Sequence, residues 1–183
     1  MKKIFSFALY DFANSAFTTI IITFIFSTYF AKQIAPNPVL GQSYWGWTIG
    51  VTGFLVAIVG PVFGSIADKK NKIIFFIRLF SFLCIFFTAL LWFSKPSQSY
   101  IIYTLLIVGI ANFFYELGLI FYNSLLKDIS TNRNLGKISG FGFAFGYIGG
   151  IIILILSIKI FIDNENLPFG LSTLDSQNIR AIA

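Results

Sequence analysis

Long apolar runs alternate with short polar breaks along this chain, and the runs have a length that one environment selects. No charged residue stands between Lys32 and Asp68, and from Ile73 to Phe93 the only charge is Arg78. A helix rising about 1.5 Å per residue needs about 20 apolar residues to cross a hydrocarbon core about 30 Å thick. The runs therefore predict a five-helix transmembrane bundle within residues 1–161, with helices at 7–31, 45–67, 73–93, 100–126 and 138–161. Residues 162–183 read as an outer loop followed by the start of a sixth helix near Asp175. The fold class expected is an all-α membrane protein.

The breaks between runs fix the topology. Pro36-Asn37-Pro38 cannot continue a helix and closes the first span. Gly60 to Lys72 runs from a helix end into a densely charged turn, so the second and third spans form a hairpin. Short cytoplasmic loops collect basic residues. Placing Lys2, Lys3, Lys69, Lys70, Lys72, Arg78, Lys127, Arg133 and Lys137 inside puts nine of the 13 basic residues there and leaves Lys32, Lys95, Lys159 and Arg180 outside. The N-terminus is expected to be cytoplasmic. Trp45, Trp47, Trp92 and Tyr100 then fall at outer helix ends, where aromatic belts meet the headgroups.

Composition narrows the class further. Hydrophobic residues make up 57% and charged residues 11%, with a mean hydropathy of +0.84, whereas a soluble domain carries about 25% charged residues. The net charge of +6 belongs to helix ends rather than to one amphipathic face, so no nucleic-acid partner is expected. With no histidine and one cysteine, Cys84, inside an apolar run, no disulfide framework, metal site, cofactor or enzymatic nucleophile pair is expected. Lys2 and Lys3 would suit a signal peptide, but no small-residue cleavage site follows and the run reaches spanning length. The segment reads as an uncleaved first helix.

The helices differ in character. Helix two carries Gly46, Gly50, Gly53, Gly60 and Gly64 on one face, and helix five carries Gly142, Gly146 and Gly150 at four-residue steps. Small residues let helices approach in lipid, so both faces are expected to pack closely, and Gly60-Pro61 is expected to kink helix two. Helix one has Asp11, Asn14, Ser15 and Thr18 three to four residues apart, and helix four has Asn112, Glu116 and Asn123 with Tyr115 and Tyr122 beside them. A carboxylate inside the membrane faces a cavity, pairs with a cation, stays protonated, or serves as interhelical glue. Glu116, Asn112, Tyr115, Asn123, Asn14, Thr18 and Asp11 are thus the candidate substrate- or ion-binding residues, with Asp11 also readable as an interfacial residue near a helix start. Two polar helices, two glycine-lined helices and a Phe-rich third describe a three-helix unit used twice, a construction common among secondary transporters.

The charged turn resembles the loop between helices two and three of the major facilitator superfamily, with Gly64, Asp68, Lys69 and Lys72 on the pattern and Asn71 where glycine is usual. Tyr10-Asp-Phe-Ala-Asn-Ser-Ala-Phe-Thr-Thr, Phe121-Tyr-Asn-Ser-Leu-Leu-Lys-Asp-Ile-Ser and the glycine-rich stretch from Ile138 to Gly150 are similar to its vacuole effluxer (autophagy protein 22-like) permease branch. The resemblance implies the N-terminal half of a twelve-helix permease in the cell (inner) membrane. It implies a C-terminal six-helix half as partner, in the same or a second chain, and a small solute, by analogy an amino acid, as cargo. It makes helices one and four cavity-lining and gives Gly64, Asp68, Lys69 and Lys72 the role of a conformational latch. The competing reading is a non-transporting membrane subunit with a structural or regulatory role.

Overall fold

The computed structural model describes residues 2–70, 72–131, 133–164 and 166–183, with the side chains of residues 67–70 outside that description. Every regular element among the described residues is helical. Five helices are long and apolar enough to cross a membrane: α1 (Lys2–Ile34), α2 (Pro38–Lys70), α3 (Ile73–Phe93), α4 (Gln98–Ile129) and α5 (Leu135–Ile162). A short helix, α6 (Gln177–Arg180), lies in the tail. Helices suit the bilayer because each satisfies its own backbone donors and acceptors where no water is available.

Four of the five helices begin earlier than hydropathy alone places them, while α3 begins at Ile73 as read. α2 starts at Pro38 rather than near residue 45: proline occupies the first helical position, and Asn37 caps the turn by accepting a bond from the Leu40 N–H at 2.9 Å. Those start signals outweigh the polarity of the first turns. Gly41 makes the tight return possible, since a Cβ there would stand 2.6 Å from the Ala31 Cα. α2 then continues as one helix through Pro61. In α1 the turns from Phe17 to Phe24 and from Phe30 to Ile34 are π-helical, the first closing on an Ile25 N–H that reaches back five residues to the Ile20 carbonyl. Lys2, Lys3 and Lys32 are exposed at the two ends of α1.

The chain divides into two compact units. In Ala31–Leu125, α4 packs on both α3 and α2. The Phe-rich sequence of α3 supplies the contact. Phe76 stacks on Phe121 with centroids 5.4 Å apart, Phe80 and Phe87 stack on Phe114 at 6.0 and 5.8 Å, and Phe63 of α2 meets Phe80 edge-on at 5.6 Å. Such pairs are each worth about 0.5–1.5 kcal/mol beyond the area they bury. Tyr103 closes the far end of α3 and α4 by donating to the Leu90 carbonyl at 2.8 Å.

The second unit holds residues 1–30 and 126–183, and its organising contact is α1 against α5. Gly146, Gly149 and Gly150 are all buried. A Cβ on Gly146 would stand 2.8 Å from both the Asp11 Oδ2 and the Ser15 Oγ, and one on Gly150 would stand 2.5 Å from the Thr19 Oγ1. At Gly149 the obstacle is the Phe12 carbonyl, which is backbone and cannot swing aside. In the tail, Asn178 donates to the Phe161 carbonyl and the Arg180 Nε to the Asp175 carbonyl, each at 2.9 Å. Phe169, Asp175 and Ser176 take left-handed backbone angles along the way.

Gly149→Ala is therefore expected to lower stability by roughly 1–3 kcal/mol through overpacking against rigid backbone. Gly140→Ala, on the same helix with no neighbouring atom within 4 Å of the added Cβ among the described residues, is expected to be neutral or slightly stabilising. Thermal unfolding in detergent followed by size-exclusion fluorescence distinguishes the two, and equal midpoints would contradict the packing described.

Candidate functional site

The polar residues of α4 share one face, because steps of four and seven residues return nearly to the same side of a helix. Burial falls along that face. Asn112 is 3% exposed, Glu116 is partly buried and Asn123 is exposed. The Asn112 Nδ2 donates to the Thr52 Oγ1 of α2 at 2.9 Å, and the Thr52 hydroxyl in turn donates to the Ile49 carbonyl at 2.9 Å. Asn112 is thus tied into the α2–α4 contact. Glu116 has no basic side chain within ion-pairing distance among the described residues. Tyr115, buried beside it, is 8% exposed.

Thr52 is the partner that sequence reading missed. It lies next to Gly53 on a helix read for its glycines, and the i, i+4 pair Thr48 and Thr52 was the available signal. Gly109 of α4 marks the crossing, with a Cβ there 3.3 Å from Thr48 and 3.4 Å from Thr52. Next to it opens an apolar groove of about 650 Å³ whose walls include Trp47, Val51, Leu55, Leu106 and Phe113.

The polar stripe of α1 splits into two kinds of residue. Asp11, Ser15 and Thr19, at strict four-residue steps, lie against Gly146 and Gly150 of α5. Ser15 also donates to the Asp11 carbonyl at 2.9 Å. Their oxygens lie at the α1–α5 contact. Asn14 and Thr18 stand off that line. The Thr18 hydroxyl donates to the Ser15 carbonyl at 3.1 Å, while the Asn14 Nδ2 is buried with no hydrogen-bond partner among the described residues. A buried donor without an acceptor is costly, on the order of 1–3 kcal/mol, and marks Asn14 as the polar group of α1 with unspent bonding capacity.

The glycine faces also separate. Gly142, Gly146 and Gly150 of α5 are buried, the last two against α1. On α2, Gly60 abuts Ile120 of α4, with 2.9 Å from its ideal Cβ to the Ile120 Cδ1, while Gly46, Gly50, Gly53 and Gly64 have no atom within 4 Å among the described residues. Among the described residues the α2 face packs closely at Gly60, because α4 crosses α2 on the Thr48, Thr52 and Gly60 side. Of the expected latch residues, Gly64 and Lys72 are described, and the side chains of Asp68 and Lys69 lie outside the described residues. No group of three His, Cys, Asp or Glu side chains is placed to hold a metal ion among the described residues.

The sequence family described as the Major Facilitator Superfamily matches residues 2–154. The chain is 30% identical over 176 residues to a Bacillus subtilis protein described as an uncharacterized MFS-type transporter, YxiO, covering 91% of this chain and 40% of that protein. It is 29% identical over 155 residues to an Aquifex aeolicus protein described as uncharacterized, covering 84% of this chain and 37% of the relative. The chain thus spans about two fifths of the length of these curated relatives. No solved structure matches it significantly.

The Asn112–Thr52 bond gives a direct test of the α2–α4 contact. Thr52→Val strands a buried amide, so the double variant Thr52→Val with Asn112→Leu is expected to be destabilised by less than the sum of the two single effects. The double-mutant cycle should return a coupling near 0.6 kcal/mol, the average for such bonds in membranes. Strictly additive unfolding energies would show that the bond is not formed.

Proposed function

Because the chain belongs to the major facilitator superfamily, we propose that it supplies the N-terminal half of a secondary transporter, a permease moving a small solute by alternating access. The observation that carries this reading is Glu116, a partly buried carboxylate without a basic partner among the described residues, in the middle of a spanning helix. Ionisable residues at that depth are expensive and mark substrate or proton pathways. Glu116 is the residue proposed to bind a cationic group of the solute or to carry the coupling proton. Asn112, Tyr115 and Asn123 on α4, and Asn14, Thr18 and Asp11 on α1, are the proposed polar groups of the solute and ion path, with the spare amide of Asn14 foremost on its helix.

The solute class that fits a carboxylate beside neutral amides is a zwitterion, and an amino acid is the proposed cargo. The segments that resemble the vacuole effluxer branch favour the same choice by analogy. The membrane proposed is the cell (inner) membrane, with the N-terminus cytoplasmic, as the distribution of lysine and arginine favours. A C-terminal six-helix half is the proposed partner. Asp68 at the end of α2 stands where the helix dipole is already negative, so the latch of Gly64, Asp68, Lys69 and Lys72 needs a cation or a helix N-terminus contributed by that half.

In proteoliposomes carrying this chain together with its C-terminal half, Glu116→Gln is expected to reduce proton-gradient-driven amino-acid uptake by roughly 5- to 150-fold, the range of typical coupling energies. Solute counterflow without a gradient should persist if the role is coupling and disappear if it is binding. Uptake indifferent to Glu116→Gln across the pH range would remove both roles.

A further inference from the structure

α3 turns one continuous stripe outward. Phe75, Phe82, Ile85 and Phe86 are 56, 65, 67 and 49% exposed, and they follow one another at helical spacing. Arg78 is exposed in the middle of that stripe, three residues after Phe75 and four before Phe82. It lies five residues beyond Ile73, an axial rise of about 8 Å, so a side chain leaning back toward the α2–α3 turn brings its guanidinium to headgroup level while its stem stays among apolar groups. A second cation is folded onto the same stripe, since the Lys72 Nζ sits 5.9 Å from the centroid of the Phe75 ring. Among the described residues no carboxylate is within ion-pairing distance of either.

The stripe therefore joins two cations, neither paired with a carboxylate among the described residues, to a run of large apolar side chains directly below them. We propose that Arg78 and Lys72 form a binding site for the headgroup phosphate of an anionic phospholipid, whose acyl chains lie along Phe75, Phe82, Ile85 and Phe86. Guanidinium holds a phosphate bidentately, and the ammonium adds a point charge beside it. Two cations facing one phosphate leave an excess positive charge, which favours a lipid with net negative charge over a zwitterionic one whose own cation would be repelled. Each basic group at the membrane surface adds about fivefold to the affinity for anionic lipid.

The test uses the full 183-residue chain in phosphatidylcholine vesicles, with chain-spin-labelled phosphatidylglycerol or phosphatidylcholine as the probe. The expected result is a preference for the phosphatidylglycerol probe that falls about fivefold in Arg78→Leu and further in Arg78→Leu with Lys72→Gln. Arg78→Lys should retain most of it. Leucine at position 78 continues the apolar stripe, so circular dichroism is expected to show an intact helical fold. Inorganic phosphate added at millimolar concentration should leave the preference intact; displacement by it would assign the site to a free anion and overturn the proposal. Equal association of the two probes, or a preference that survives Arg78→Leu, would also overturn it, as would loss of the preference only when a C-terminal half is present to cover the stripe.

Discussion

The Gly146, Gly149 and Gly150 face pressed against α1 is the contact on which its compact unit depends, and it depends on the solvent. In hydrocarbon, burying one leucine against another gains little, because lipid tails are as apolar as the side chains they replace. What remains is dispersion, which falls off within fractions of an ångström, and the polar contacts that lipid cannot offer. Glycines satisfy both at once. They bring the α5 backbone to the Phe12 carbonyl, and they leave room for the oxygens of Asp11, Ser15 and Thr19 to lie where side chains would otherwise stand. An aspartate in a spanning helix is tolerated here because it has a place to go.

The unit formed by residues 31–125 solves the same problem with different chemistry. Its α3 and α4 meet through stacked phenylalanine rings, and where α4 crosses α2 at Gly60 and Gly109 a buried amide-to-hydroxyl bond supplies a polar contact. Large rigid rings hold helices at a distance while offering wide faces. Glycine removes the distance altogether. The two modes explain why α3 is built almost entirely from phenylalanine, isoleucine and leucine, while α5 alternates glycine with bulky residues.

Much of this was legible in the sequence. Spans are encoded by runs with no charge, so five helices follow from counting, and the glycine repeat of α5 signals its close contact. Three features were not legible, each for a physical reason. The early start of α2 rests on the cap at Asn37 and Pro38, which a hydropathy average dilutes. The π-helical turns of α1 break the 3.6-residue period that makes faces readable, and the position of Asp11, Ser15 and Thr19 beside the glycines of α5 shows only in coordinates. Thr52 was hidden because a threonine with its hydroxyl turned back to the Ile49 carbonyl looks, in a sequence, like any other filler of an apolar helix. Asn112 and Glu116 stand out in the sequence as polar groups in an apolar span, yet only coordinates tell the tethered amide of one from the carboxylate of the other, which has no basic partner among the described residues.

The length of α1 has a mechanical meaning. Thirty-three residues would measure about 50 Å as a straight α-helix, well over the roughly 30 Å of a hydrocarbon core. Lys2 and Lys3 stand at one end and Lys32 at the other, all exposed. Drawing the rod along the membrane normal by more than its surplus length would submerge a cation, so its height is bounded on both sides. What stays inexpensive is leaning, since tilt absorbs surplus length without dehydrating any charge. For a helix of this length, leaning costs less than sliding far enough to bury an end.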